Sequence, residues 1–425
     1  MDSMISISSP FSWFSSKGQK NDGSPSVDVK PIQTHDIEAA EEKPGRRLRQ
    51  LLKLNHATHS IIYNNLTFYN HIPHLLSTAY LFGAGPEHLD RLYEEESKEL
   101  EPWADSPGEI GQVEDWRLAL GKRDKAPNLV GRFQRAYLDF FEDVLVNRGY
   151  DWNAVVLEYL CSGDKPLINS LIAGFGHPLI HLGFAFEISS REVAMEALAM
   201  ISCCYDDMHK FFDEPSDIQR NMTQRYTTSS LFEAFEEIRG DRRFDGIFTN
   251  PGGNNVEDIF KTHQTLLLEH WMAWDPKDMG PTEQFRMIQQ FATTLIITRH
   301  AGKPHDFFFA HLLTTTHALR VVIPVIPAKF HLPLLRQWFL LAIAVYVAQL
   351  RPKIKINDVG RYAIGEKDWN WVDNQALTNE MAVSPHYIKP LRTLKEAAKT
   401  WGDDEFYLRA AVQFVETFNG FSGFG

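Results

Sequence analysis

From Pro44 onward, helical punctuation recurs along the chain and strand signals are scarce. Leu66 to Phe82 (LTFYNHIPHLLSTAYLF) carries apolar residues at helical spacing and stops at Gly83-Ala84-Gly85. Pro86 then opens an acidic, amphipathic segment, PEHLDRLYEEESKEL. The same spacing predicts helices over 129–148, 151–161, 165–174, 178–186, 190–210, 227–239, 255–273, 282–300, 305–323, 332–350, 385–400 and 403–418. Asp151 and Ser190 stand where N-caps belong, and Pro281 and Pro333 suit first turns. Lys353 to Asp358 (KIKIND) is the candidate for a short extended piece. No fixed-period repeat stands out, and no long linker interrupts 46–425. The expectation is one large all-α domain over 46–425, with a two-lobed arrangement as the alternative. Residues 1–45 are rich in Ser, Pro, Gly, Asp and Lys and read as a flexible or loosely docked arm. Phe11, Trp13 and Phe14 are the side chains that could pin it to the body.

Several function classes drop out. A formal net charge of −12 repels phosphate backbones and argues against nucleic-acid binding. The densest basic run, Arg46, Arg47, Arg49 and Lys53, reads as the polar face of a first helix. Three cysteines, Cys161, Cys203 and Cys204, do not make a disulfide framework. They point to a reducing, cytoplasmic setting, in which the sequons at Asn65 and Asn221 carry no meaning. The N-terminus lacks the basic and apolar regions of a signal peptide. The most apolar stretch, Trp338 to Ala348, falls well short of the roughly 20 residues that span a bilayer, so a buried core helix is expected and no membrane span. No G-x-G-x-x-G follows a strand, so no flavin or nicotinamide site is signalled. Nucleophile elbow, P-loop and paired Glu-x-x-His helices are also missing. His88-x-Asp90 lies in the charged segment after Pro86 and reads as surface rather than as a facial-triad fragment.

The histidines are unevenly placed. His71 and His74 are spaced i, i+3, and His177 and His181 are spaced i, i+4, so each pair shares a helix face. Glycines Gly174, Gly176 and Gly183 flank the second pair and permit close approach of another backbone or a ligand. His311 and His317 are six apart, about 120° on an ideal helix, so one of them can face a pocket while the other backs it. Imidazole is acid, base or metal ligand near neutral pH, and three such pairs brought together would make a His-rich internal pocket. A buried histidine taken singly is more often a hydrogen-bonded core residue. His35, His59, His88, His209, His331 and His386 are read as surface or structural, and His56, His263, His270 and His300 are left open. Aromatic residues at 12% suit a pocket for a flat apolar ligand, and core packing accounts for them equally well.

At these histidine groups the chain resembles the questin oxidase-like family. The resemblance rests on Gly176-His177-Pro178-Leu179-Ile180-His181-Leu182-Gly183-Phe184, on Phe68-Tyr69-Asn70-His71-Ile72-Pro73-His74-Leu75-Leu76 running to Gly83-Ala84, and on Phe307-Phe308-Phe309-Ala310-His311 with Thr315-Thr316-His317. Gly402-Asp403-Asp404-Glu405 resembles the opening of the family's last helix. The resemblance implies a fungal, α-helical oxygenase with O2 as co-substrate and no flavin. It implies an anthraquinone-type polyketide, or its hydroquinone, as substrate; the missing nicotinamide motif leaves room for a separate NADPH-dependent reductase to supply the hydroquinone. Ring expansion or cleavage of Baeyer–Villiger type is the implied outcome. Some members look like non-haem iron enzymes with several His ligands and a modified lysine. Where that pattern has Glu-His-x-x-Lys in the last helix, this chain is read as Glu405-Phe406-Tyr407-Leu408-Arg409; Tyr69 stands for a His, and Leu75 for another. Phenylalanine cannot ligate a metal and arginine stays protonated. The expectation is therefore catalysis without a metal, or with iron if any, by His71, His74, His177, His181, His311, His317 and Tyr69. Alternatives are a mononuclear non-haem iron dioxygenase and a polyketide-binding protein without turnover.

Overall fold

The computed structural model describes residues 23–64, 67–106, 108–110, 116–121, 133–213, 225–299, 303–355 and 357–424. Phe11, Trp13, Phe14, Asn65, Asn221 and His300 lie outside the described residues. The longer helices, in chain order, are α1 (Lys43–Thr58), α2 (Ile72–Leu81), α3 (Pro86–Glu96), α4 (Phe133–Asn147), α5 (Trp152–Cys161), α6 (His177–Ile188), α7 (Arg191–Cys204) and α8 (Leu231–Gly240). They continue with α9 (Asn254–Thr262), α10 (Gln264–Ala273), α11 (Pro281–Ile297), α12 (Phe307–Val322), α13 (His331–Ala348), α14 (Trp369–Thr378), α15 (Pro385–Trp401) and α16 (Asp404–Thr417). Two-residue strands form the described sheets: Ile62–Tyr63 antiparallel to Phe68–Tyr69, and His305–Asp306 parallel to Phe421–Ser422. The fold is all-α, as its periodicity predicts.

The caps work as the sequence suggests. Asp151 accepts from the Ala154 amide at 3.1 Å and Ser190 from Val193 at 3.4 Å. Asp306 accepts from the amides of Phe308 and Phe309, which fixes the start of α12 and so the height of His311. Four expected helices differ; the one over 190–210 ends at Cys204, where Tyr205 (ψ 121°) leaves the helical region. Over 66–82 the chain first forms the Phe68–Tyr69 strand; Asn70 Oδ1 accepts the Ile72 amide and Pro73 sets the first turn, so the helix begins at Ile72. Over 165–174 there are only 3-10 turns, because Gly174, Phe175 and Gly176 take successive positive φ of 57°, 56° and 77°. Over 255–273 the helix breaks at His263 (φ −133°) into α9 and α10. Lys353 to Lys355 form no strand, and Asp358–Arg361 is a single helical turn.

Helix α6 (HPLIHLGFAFEI) is buried on every side, as an all-round apolar helix must be. It packs on α2, α7 and α12; α12 packs on α15, and α15 returns to α2. These four helices, α2, α6, α12 and α15, close a ring. Gly183 lets α12 come close: a Cβ there would sit 3.0 Å from Cβ and 3.1 Å from Cα of Ala318. Residues 24–42, counted with the arm in the sequence, run extended along the body. Val27 and Ile37 are buried, Val27 N donates to His331 Nδ1, and the His35 and Ile37 amides donate to Glu187 and Ile188 carbonyls. Two helical stretches, Phe307–Val325 and Ala328–Ala348, are long and apolar enough to cross a membrane by length and composition, more than the eleven-residue stretch suggests. Both are mostly covered by protein, 89% and 83%, which is what core helices show.

Candidate active site

Four imidazoles meet at the start of the four ring helices. His71 is the residue before α2, His177 begins α6, His311 lies one turn into α12, and His386 follows Pro385 in the first turn of α15. Their ligating nitrogens all lie within 4.8 Å of one another. His177 Nε2 is 3.2 Å from His71 Nε2 and 3.3 Å from His311 Nε2.

The far sides of the rings explain this crowding. His177 Nδ1 donates to the Gly174 carbonyl at 2.7 Å and His311 Nδ1 to the Phe307 carbonyl at 2.9 Å. His71 bonds the Tyr69 backbone. Those bonds leave Nε2 lone pairs pointing at one another, and two lone pairs cannot bond. His386 Nε2 is buried and has no hydrogen-bond partner among the described residues. Burial, together with the nearby Lys389 charge, holds His71, His177 and His386 well below the usual imidazole range and His311 down to about 3. The four rings are thus neutral donors. Spacings of 3.2 and 3.3 Å suit two nitrogens each about 2.1 Å from one ion. The residues fit a transition metal held by nitrogen.

The other expected residues are placed differently. His74 and His181 bond each other at 3.2 Å, behind His71, and His181 Nε2 bonds Glu196 at 2.8 Å. His317 turns away: its Nε2 bonds Glu187 at 3.1 Å, and Glu187 also binds Arg392. Tyr69 stacks on His177 at 4.0 Å, its hydroxyl 3.6 Å from Cys204 Sγ. Lys389 lies buried behind the rings with Nζ 3.4 Å from His74 Nδ1, and burial pushes it down to about 7 against the pull of Glu96. Of the six histidines expected to meet, His71, His177 and His311 do so.

His386 is the correction. The sequence reads it as surface or structural, whereas in the structure it completes the cluster. Its signal was the His386-x-x-Lys389 spacing, which puts both side chains on one face of α15. The Glu405 to Arg409 segment, read as that pattern with its His and Lys lost, lies elsewhere: Arg409 pairs with Glu405 and bonds the Tyr362 carbonyl. Phe406 and Arg409 therefore do not bear on whether the histidine cluster holds a metal. His305 bonds the Ile296 carbonyl and Thr417, and His270 bonds Tyr226 and Asp241; both are structural.

The rings form part of the wall of a large cleft of about 1920 Å³. Phe68, Phe175, Phe307, Phe308 and Phe424 line it, with Glu95, Glu96 and Glu99 among its polar residues. Such a cleft exceeds the roughly 300–1,000 Å³ of most small-molecule sites and suits a flat multi-ring guest.

This helical frame with its four-histidine floor finds its counterpart in comparisons with known proteins. Residues 68–394 match the sequence profile of the family described as Questin oxidase-like, and the chain belongs to that family. The matched segment contains all four clustered histidines and Lys389, and ends before Glu405. The chain is 26% identical over 290 residues to questin oxidase of Aspergillus terreus, covering 64% of this chain and 61% of that protein. It is 24% identical to the Baeyer-Villiger oxidase ptaJ of Pestalotiopsis fici, covering 81% and 79%. It is also 24% identical to the Baeyer-Villiger monooxygenase AacuH of Aspergillus aculeatus, covering 83% and 78%. A second questin oxidase, from Aspergillus fumigatus, aligns over 35% of its own length, so the alignments to the two questin oxidases span less than two thirds of those proteins.

Proposed function

We propose that this chain is an oxygenase that uses O2 on a reduced anthraquinone-type polyketide, giving ring expansion or cleavage of Baeyer–Villiger type, with a redox-active metal such as iron held by His71, His177, His311 and His386. The observation that carries this reading is the convergence of four neutral imidazoles on the wall of an aromatic cleft. When bound, the metal would supply one-electron chemistry with O2, which no side chain here offers. The chain's own residues bind and orient. Phe175, Phe307 and Phe308 hold a flat ring against the imidazoles and exclude water. Tyr69, stacked on His177, fixes that ring's plane. The Gly174 and Phe307 carbonyls hold Nε2 of His177 and His311 toward the cleft. A separate reductase would deliver the hydroquinone, since no nicotinamide motif is present in the sequence.

The test joins two measurements on the purified protein: elemental analysis, and O2 uptake with a chemically reduced anthraquinone before and after chelation. The proposal expects close to one metal per chain and uptake lost on chelation and restored by the metal. Uptake that survives chelation would sink the metal-dependent part and leave the metal-free alternative. Tight anthraquinone binding with no uptake in any metal state would sink the enzyme itself and favour a binding protein.

A further inference from the structure

We propose that His181, Glu196, His56 and Glu142 form a proton path that joins the buried site to solvent on the side of α4. His181 Nε2 is 2.8 Å from Glu196 Oε2, Glu196 Oε1 is 2.8 Å from His56 Nδ1, and His56 Nε2 is 2.7 Å from Glu142 Oε1. At the inner end His181 Nδ1 meets His74 Nε2 at 3.2 Å. The path crosses α6, α7, α1 and α4, so four separate helices hold its members in line. Side-chain exposure rises from 0% at His181 and 2% at Glu196 to 11% at His56 and 39% at Glu142. One end is sealed and the other is wet.

Each inner member uses both of its polar atoms, one inward and one outward. That is what a relay needs and a plain structural pair does not. At rest the hydrogen bonds on either side converge on Glu196. Glu196, held anionic, accepts from His181 on one oxygen and from His56 on the other. His181 Nδ1 is then free to accept from His74 Nε2. When the proton shared between His56 Nδ1 and Glu196 Oε1 lies on Glu196, every bond runs outward: a proton entering His181 at Nδ1 releases the one on Nε2 to Glu196 Oε2, Glu196 hands the one on Oε1 to His56 Nδ1, and His56 gives its Nε2 proton to Glu142. One proton leaves for each that enters, and no charge accumulates.

The second buried carboxylate gives the contrast. Glu187 also pairs with a histidine, His317, but its other partner is Arg392, whose guanidinium does not release protons. His317 Nδ1 has no partner among the described residues, so that network stops there. It is an ion cluster, whereas the Glu196 chain runs through.

The inference rests on the proposed oxygenase reading for the source of the protons, so its test has one arm without substrate. In protein with 15N-labelled histidines, Glu142→Gln should shift the ring resonances of His56 and also of His181, two links further in. A response confined to His56 overturns the path whether or not the enzyme reading holds. In the kinetic arm, Glu142→Ala should lower the maximal rate of O2 uptake about tenfold with KM unchanged, within the range general acid–base groups contribute, and added formate should restore it. A lowered melting temperature with an unchanged rate, or a rate loss that formate leaves in place, overturns it. Because Glu142 is half-exposed at the outer end, its removal leaves the core packing intact.

Discussion

Gly176 is where backbone geometry and site geometry meet. It precedes His177, has φ of 77°, and a Cβ built on it would overlap Thr315 Cγ2 from α12. In Gly176→Ala the left-handed conformation costs about 1–2 kcal/mol. The overlap adds about 1–3 kcal/mol as overpacking, so the sum is about 2–5 kcal/mol. Thr315 is fully buried, so relief must come largely from α6. The added Cβ would lie 2.2 Å from Thr315 Cγ2, so restoring an ordinary carbon–carbon contact of about 3.5–4.0 Å requires a shift of about 1.3–1.8 Å. His177 would move with it, and its Nε2 is the atom 3.2 and 3.3 Å from two of its neighbours. Urea unfolding and metal content, measured on Gly176→Ala, Thr315→Ala and the double variant, check this. Thr315→Ala removes Cγ2, so in the Gly176→Ala background it should recover the steric part, about 1–3 kcal/mol, and part of the metal binding, while the backbone part stays lost. A Gly176→Ala protein within about 0.5 kcal/mol of wild type would refute the reasoning, as would a double variant no better than the single.

Other outcomes follow from the same geometry. His386→Ala should lower metal content per chain sharply, whereas His317→Ala should leave it near wild type; equal losses would mean that the cluster is wrongly drawn. Arg409→Lys should leave metal content and O2 uptake unchanged, since Arg409 only pairs with Glu405 and Tyr362; a clear gain in either would place the family's lysine at that position after all. His305 is pushed down to about 4 by burial, against the help of the Ile296 carbonyl. The unfolded chain takes up that proton below pH about 6.5 and the native protein does not, so stability falls as pH falls from there toward 4. From pH 6.5 to 5 this group should cost about 2 kcal/mol. In His305→Asn that part of the slope should vanish, and parallel pH profiles for the two proteins by urea unfolding would contradict the assignment.

Much of this was readable from residue order. Caps at Asp151 and Ser190, prolines in first turns and apolar spacing marked most of the helices, because these signals act within one turn. The breaks at Gly174–Gly176 and His263 were not marked. The first depends on Tyr69 and Thr315, which crowd Gly174 and Gly176 from distant segments. Three of the four clustered histidines were picked out, since they sit in apolar segments with a second histidine nearby. His386 has no such companion; its partners come from three other helices. His74 and His181 share faces with His71 and His177 as their spacing required, and yet they face each other, because the ring of helices gives each helix more than one buried neighbour. The His-x-x-Lys pattern sits in α15 at His386 and Lys389, one helix before the Glu405 to Arg409 segment.

The beginnings of α2, α6, α12 and α15 all point toward the cluster. Backbone amides at such ends carry a partial positive charge, roughly half an elementary charge each. No carboxylate belongs to the cluster itself. A divalent ion placed there would add its full charge to a neighbourhood already short of electrons. Beyond what Glu95, Glu96 and Glu99 of the cleft supply, a guest would help restore electroneutrality: the pocket would favour a phenol that arrives having shed its proton over the same skeleton with that oxygen methylated.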